Sequence, residues 1–487
     1  MNTKSTLMAL LVLLVLTGVP LLAQGNSSLQ GTVTDPSGAV IPGATIEITN
    51  VATQATMSTQ SNEVGVYRFP QVPPGTYNLR ATTEGLVAVG VANIQLLINQ
   101  PTTIDVNFTE VGSVSEIVSV EAETASVNTV DASIGNAMGT RPIMQLPFAA
   151  RNVVGLLSLQ PGVAYSRDTA PTVDDTRNGA VNGGKSDQAN VTLDGVDVND
   201  QQNGFAFTSV LRMTLDSVQE FRTTTLNAGA DQGRSSGAQV ALVTKSGTNN
   251  FHGSVYEYHR NTKTAANDFF NNKTGIERQK LIRNVFGASI GGPIKKNRLF
   301  FFFNFEGRTD RSEDSVVRTV PSETLRQGIF RYIKDDGSTG TLSPQDIANV
   351  YDPLGIGPSP EALTQFQKYP APNDDTVGDG LNRRGYRFKA PIKTDLRTYI
   401  TRWDYYVDSA AKHQLFFRGN YQDDSNTELP QFPGEPPRFN TLTSSKGLAI
   451  GYNTTISPTM FSSFRYGFTR QAVNNAGASQ VSQVSFR

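Results

Sequence analysis

Three aspartates spaced three apart, Asp194, Asp197 and Asp200, invite a chemical reading first, because carboxylates in series are the ligands calcium takes. The surrounding residues lack the spacing of a calcium-binding loop. Asp194 is followed by Gly195 within NVTLDGVDVND, so a hairpin turn with solvated faces is the plainer reading. A second pattern, Gly287-Ala288-Ser289-Ile290-Gly291, is a literal G-x-S-x-G. Serine catalysis would need a sharp strand-to-helix turn with an associated histidine and acid, whereas Ser289 lies inside an alternating strand just before a proline-containing hairpin. His252, His259 and His413 lack metal-ligand spacing, and the first two fall on opposite faces of one strand-like run. Asp374, Asp375 and Asp379 could recruit cations, and Arg383, Arg384 and Arg387 anions, against the ordinary reading of solvated loop charge. With no cysteine in 487 residues, disulfides, thiolate zinc sites and cysteine nucleophiles are excluded. The 42 basic and 43 acidic side chains nearly cancel, which implies no nucleic-acid partner. No catalytic residue, metal or cofactor is expected, and the chain is not read as an enzyme.

The elements that must position any site are strands. Residues 1–25 combine a lysine-bearing start, an apolar run, and Pro20, Ala23 and Gly25 in a cleavage zone, so they read as a signal peptide, with a membrane anchor as the alternative. Beyond them no apolar run is long enough to cross a membrane as a helix, so any crossing is made by strands, which in lipid must close into a barrel. Residues 28–109 are a succession of short alternating runs parted by turn formers, a small β-sandwich in which Ala44, Ile46 and Ile48 share one face. Residues 110–140 turn small and polar and read as a connector; within it, Glu116 to Val120 is a short β-rich string. Residues 141–247 hold a short apolar helix ended by Pro161-Gly162, the Asp194-Gly195 hairpin and a strong strand at Gln239 to Thr244. From Phe251 to the end, aromatic strands carry polar alternates: Phe301, Phe303 and Phe305 face one way and Phe302, Asn304 and Glu306 the other. Long polar excursions are expected over residues 309–397 and about 422–444.

Two resemblances add to this. GTVTDPSGAVIPGA followed by GVYRFPQVPPGTYNLR resembles the carboxypeptidase regulatory-like domain, a transthyretin-like β-sandwich. It implies no peptidase here, since residues 28–109 contain no histidine for a zinc site. Its roles are open between scaffold and glycan binding. LPFAARNVVGLLSLQPGV, VNGGKSDQANVTLDGVDVND, VQEFRTTTLNAGADQGRSSGAQVALVTKSGTNNFHGS and GGPIKKNRLFFFFNFEG together resemble TonB-dependent outer-membrane receptors of the Oar-like branch.

The resemblance implies a mainly β chain: a transthyretin-like sandwich, an α/β plug domain, and the first part of a large antiparallel transmembrane β-barrel. The expected function is TonB-dependent reception or active transport of an extracellular ligand, glycan or peptide; the alternative is an outer-membrane adhesion protein whose sandwich binds carbohydrate. The partners implied are outer-membrane lipid and TonB with its inner-membrane energising complex, the sandwich and connector lying in the periplasm. Glu116, Ile117, Val118, Ser119 and Val120 resemble the segment that TonB seizes, with an ordinary edge strand as the equal alternative. Asp194, Gly195, Arg234, Gly237 and Gly247 match plug structure, with Arg234 a candidate to face the barrel wall. About seven or eight strands fit between Phe251 and Arg487, whereas a plugged lumen calls for about 22, so the chain is expected to be a C-terminally truncated fragment.

Overall fold

The computed structural model describes residues 25–109, 117–121, 132–146, 151, 153–164, 180–184, 188–200, 209–229, 232–233, 237–267, 269–273, 275–457 and 460–477. The expected signal segment up to residue 24, Glu116 and Arg234 lie outside them.

Alternation builds the first domain. Strands β1 (Ser27–Thr34), β2 (Thr45–Asn50), β3 (Thr56–Gln60), β4 (Val66–Val72), β5 (Gly75–Thr82), β6 (Ala88–Leu96), β7 (Pro101–Thr103), β8 (Val106–Asn107) and β9 (Ile117–Glu121) form two sheets. One has the order β4-β1-β7 with β8 also on β1; the other runs β3-β2-β5-β6-β9. Every second residue of β1 and β2 is buried, as a two-layer sandwich requires. Leu29, Val33, Ile46, Ile48, Tyr67 and Phe108 are fully enclosed between the sheets. The Tyr67 hydroxyl, carried into this core, donates to the Ile104 carbonyl at 2.6 Å.

The second domain is a mixed sheet of β10 (Ile134–Gly139), β11 (Asn190–Leu193), β12 (Val196–Asp197), β13 (Val218–Leu226) and β14 (Gln239–Thr244), in the order β10-β13-β14-β11-β12. It takes in β10, which falls within the expected connector. Helix α1 (Thr140–Gln145) and a 3-10 turn, Val153–Leu159, cover it. All six residues of β14 are buried, as befits a central strand covered on both faces. Asp194 and Gly195 have φ of 49° and 80°, the left-handed pair that a two-residue hairpin of type I′ demands.

The third body is a long antiparallel sheet of β15 (His252–Asn261), β16 (Leu281–Lys295), β17 (Leu299–Pro321), and, beyond a hairpin of β18 (Phe330–Ile333) and β19 (Thr339–Leu342), β20 (Asp374–Gly378), β21 (Arg383–Tyr406), β22 (His413–Thr427), β23 (Asn440–Ser457) and β24 (Met460–Ala476). Its order is β15-β16-β17-β21-β22-β23-β24, with β20 alongside β21, and the outer strands β15 and β24 are not paired with each other. Short turns join β16 to β17 and β21 to β22 at one end, where Ser457 of β23 also pairs with Met460 of β24; residues 322–382 and 428–439 cross at the other. Along β17, Phe300, Phe302, Asn304 and Glu306 are buried while Phe303 is exposed. Along β22, Leu415, Phe417 and Tyr421 are exposed while Arg418 and Asn420 are buried. The outer face is thus aromatic and the inner face polar, the two environments of a membrane wall.

The expected excursion over residues 309–397 is much narrower. β17 continues to Pro321 and pairs through to Arg383 of β21. Charges on both faces disguise these segments as loop, yet they satisfy one another, as Arg311 does with Asp395 at 2.9 Å and Arg283 with Asp310 at 2.9 Å. The loop charges pair similarly: Arg387 with Asp374, Arg384 with Asp375 and Arg383 with Asp379, at 2.6, 2.8 and 3.2 Å.

If the aromatic face meets lipid, Phe417→Lys should lower the stability of the membrane-inserted protein by about 2–4 kcal/mol at mid-bilayer depth. Urea titration of folding in lipid vesicles measures this; a loss below about 0.5 kcal/mol would place Phe417 away from hydrocarbon.

Candidate functional site

The site is where the plug sheet meets the wall, and it depends on close backbone approach. A side chain at Gly467 would bring its Cβ to 2.2 Å from Val196 of the plug, and one at Gly447 to 2.3 Å from Leu211. Between such glycines the wall carries polar groups that the plug answers. Ile400 of β21 adds an apolar contact, joining the plug core formed by Val154, Leu157, Leu193, Met213 and Phe221.

Three ion clamps result. In the first, Arg151 of the plug bonds Asp216 at 2.9 Å and Glu306 of β17 at 2.9 Å, with its guanidinium over the Tyr258 ring at 4.6 Å. In the second, Arg212 makes a bidentate pair with Asp424 of β22 at 2.9 and 2.7 Å, and also donates to the Thr398 hydroxyl.

The third centres on Asp194. Its Oδ1 accepts the Thr244 N–H at 3.0 Å and the Arg402 Nη1 at 3.0 Å. Its Oδ2 accepts the Thr244 hydroxyl at 2.7 Å and lies 3.0 Å from the Arg418 Nε. Arg402 and Arg418 are direct cross-strand partners on β21 and β22, so two like charges are forced together inside the wall. Arg402 has a second carboxylate in Asp404 at 2.9 Å. Arg418 is completely buried, and Asp194 is its carboxylate partner. The turn itself is as expected, but the solvated role is not: Asp194 is buried, because the hairpin tip is driven against the wall rather than into water.

Of the other singled-out positions, Gly237 packs against the Gln188 carbonyl and Gly247 against the Phe301 and Gly292 backbones, so both fit close approach within the plug and at its exit to the wall. Ile117 to Val120 form part of β9 on the sandwich. Ser289 sits mid-strand and shares a hydrogen bond with Ser254 at 2.9 Å. Sequence reasoning missed Arg151 and Arg212. Arg212 had a signal, a lone cation in Val210-Leu211-Arg212-Met213; Arg151 had none without its distant partners.

The sandwich docks beneath. Ile98 is buried with Ala241 and Val243 of the plug, and its N–H donates to the Glu220 carboxylate at 2.8 Å. Arg222 donates to Gln100 at 2.7 Å, and Asn249 to the Thr53 carbonyl at 2.9 Å. A cavity of about 520 Å³ remains between sandwich, plug and wall, bordered by Thr53, Lys245, Arg402, Tyr406, Phe416 and Arg465. Burial pushes the Glu220 carboxyl up to about 7, outweighing the lowering by the Ile98 N–H and Arg222. Among the described residues no group of three histidine, aspartate or glutamate side chains is assembled to hold a metal.

Two outcomes follow from this geometry. Asp194→Asn leaves the paired wall arginines without their shared carboxylate and should loosen the plug by about 3–5 kcal/mol, read from the denaturant midpoint for plug release; an unchanged midpoint would show that the clamp is not structural. Glu220, raised when docked, favours docking while it is protonated. Docking should therefore be strongest below the ordinary carboxyl value of 4.5, weaken as pH rises towards about 7 and level off above it. Hydrogen-exchange protection of the Ile98 amide, corrected for intrinsic rate, should follow that course and become flat in Glu220→Gln.

Two stretches of this chain match known domain families. Residues 28–109 match the carboxypeptidase regulatory-like domain. The TonB-dependent transporter Oar of Myxococcus xanthus is 30% identical over 296 residues, covering 58% of this chain and 26% of the relative. The chain thus spans about a quarter of the length of that curated relative. Among solved structures, the outer membrane transporter YddB from Escherichia coli is 12% identical with a TM-score of 0.42, covering 70% of this chain and 39% of that one. The siderophore receptor PirA from Pseudomonas aeruginosa is also 12% identical, with a TM-score of 0.32 and coverages of 70% and 50%. Residues 243–486, half of the chain, match the outer membrane beta barrel domain, so the wall of aromatic and polar alternation is that of an outer-membrane barrel and the chain belongs to this family.

Proposed function

We propose that this chain serves TonB-dependent uptake of an extracellular ligand across the outer membrane, its plug acting as the gate. The observation that carries the reading is a folded domain held to the inner face of the wall by desolvated ion clamps, Arg151 with Glu306, Arg212 with Asp424 and Asp194 with Arg402. Such clamps resist parting, because each is partly buried and must give up its partner before water can take that partner's place. An outer membrane carries no energy source of its own, so the work comes from a partner reaching across the periplasm. Ile117 to Val120, preceded by Glu116, are the proposed contact for that partner. The likeness to the TonB-dependent transporter Oar of Myxococcus xanthus supports the reading.

The sandwich lies against the short-turn end of the wall, where Asn249 also bonds Asn297 in the turn after β16 and Gln414 of β22 approaches Met57. Long connections lie at the opposite end, and the longer set in such barrels is extracellular. A sandwich on the periplasmic side is badly placed to capture surface glycans, which weighs against the adhesion reading. It suits a module that works between plug and energy source.

Labelled oligosaccharide and peptide mixtures offered to cells producing the protein, with TonB present or absent, test the proposal. Accumulation of at least one labelled fraction only when TonB is present is expected. Equal accumulation of every bound fraction in both strains would overturn transport, and saturable binding without accumulation would restore the adhesion reading.

A further inference from the structure

The outermost strand of the larger sandwich sheet is β9, which pairs in parallel with β6 through Ala88 to Ile117, Val89 to Val118, Gly90 to Ser119, Val91 to Val120 and Ala92 to Glu121. The sheet ends there: its order is β3-β2-β5-β6-β9, so β9 has β6 on one edge and no strand on the other among the described residues. A strand with an open edge offers a row of backbone donors and acceptors that another strand can complete. Four of its five residues belong to the segment proposed above to contact TonB, so the following rests on that reading.

We infer that the sandwich is a presentation platform: it holds residues 117–121 already extended, and their open edge takes a strand of TonB as the next strand of the sandwich sheet. Presentation removes the cost of ordering a flexible segment at the moment of binding, which is the usual penalty when a short peptide is captured by strand addition. The parallel ladder to β6 is short and lies at the sheet margin, so it can be stripped from one end once the partner is engaged. Force applied to β9 therefore meets the sandwich before it meets the plug.

The opposite arrangement, in which β6 hides the segment from TonB, makes the contrary prediction. Because the chain contains no cysteine, a pair introduced by Gly90→Cys and Ser119→Cys reports on the ladder without background. These residues are direct register partners, and neighbouring strands about 4.8 Å apart lie within reach of a disulfide. The purified full chain in detergent, oxidised or reduced, is titrated with the periplasmic domain of TonB. Presentation predicts that the cross-link forms and that the oxidised protein binds within about threefold of the reduced one, or more tightly. Failure to cross-link, or a loss of about tenfold or more on oxidation that reductant reverses, overturns it in favour of concealment. Val118→Pro separates this from the underlying assignment. If that variant binds TonB as the parent does, the contact segment lies elsewhere and the assignment itself fails; if binding is lost in Val118→Pro and kept in the oxidised pair, both stand.

Discussion

One carboxylate decides how the plug sits in its wall. Two arginines at facing positions of adjacent strands, Arg402 and Arg418, place like charges side by side where water is scarce. Only a counter-charge delivered to that spot makes the arrangement tolerable. It is delivered by the tip of the β11–β12 hairpin, whose left-handed Asp194-Gly195 turn aims the Asp194 carboxylate outward from the plug sheet. The hairpin reaches the wall only because β23 and β24 present glycine where neighbouring plug side chains touch them. Turn conformation, wall composition and charge balance are therefore one constraint seen from three sides.

The same constraint explains why the interface is polar rather than greasy. Polar groups on a lumen face can be met by water wherever the plug does not cover them, whereas an apolar seam would be left exposed there on both sides. Charge pairs such as Arg212 with Asp424 are weak contributors to net stability when intact and costly when one member is stranded. This combination gives a seam with a definite seated position. Against it, the junction of sandwich and plug is built differently, from the small apolar contact of Ile98 with Ala241 and Val243 and a few hydrogen bonds.

Much of this was legible in the residues themselves. Period-two alternation gave the buried face of β2 and the inner and outer faces of β17, and the Asp194-Gly195 pair gave the turn, because each depends on neighbours a few positions away. The clamps were not legible, since Arg151 and Glu306 are 155 positions apart and Arg212 and Asp424 are 212 apart. Nor was the extension of β17 and β21 beyond Thr309, where polar side chains on both faces erase the alternation that marks a half-buried strand. Asp194 shows both outcomes in one residue: its backbone conformation was local and readable, its burial was not.

The great length of β17 and β21 has a consequence for the end of the wall that carries the long connections. Twenty-three paired residues extend roughly 75 Å, against a hydrocarbon layer of about 30 Å, so even a steep tilt leaves much of the ladder standing above the bilayer. The connection that crosses it, residues 322–382, is consequently mounted on a stiff ribbon instead of being tethered to the membrane surface by slack chain. Closing its two ends on a paired ladder removes part of its conformational freedom. The connection is thereby lifted clear of the bilayer as a raised rim, its two ends held at the spacing of hydrogen-bonded neighbours rather than free to wander.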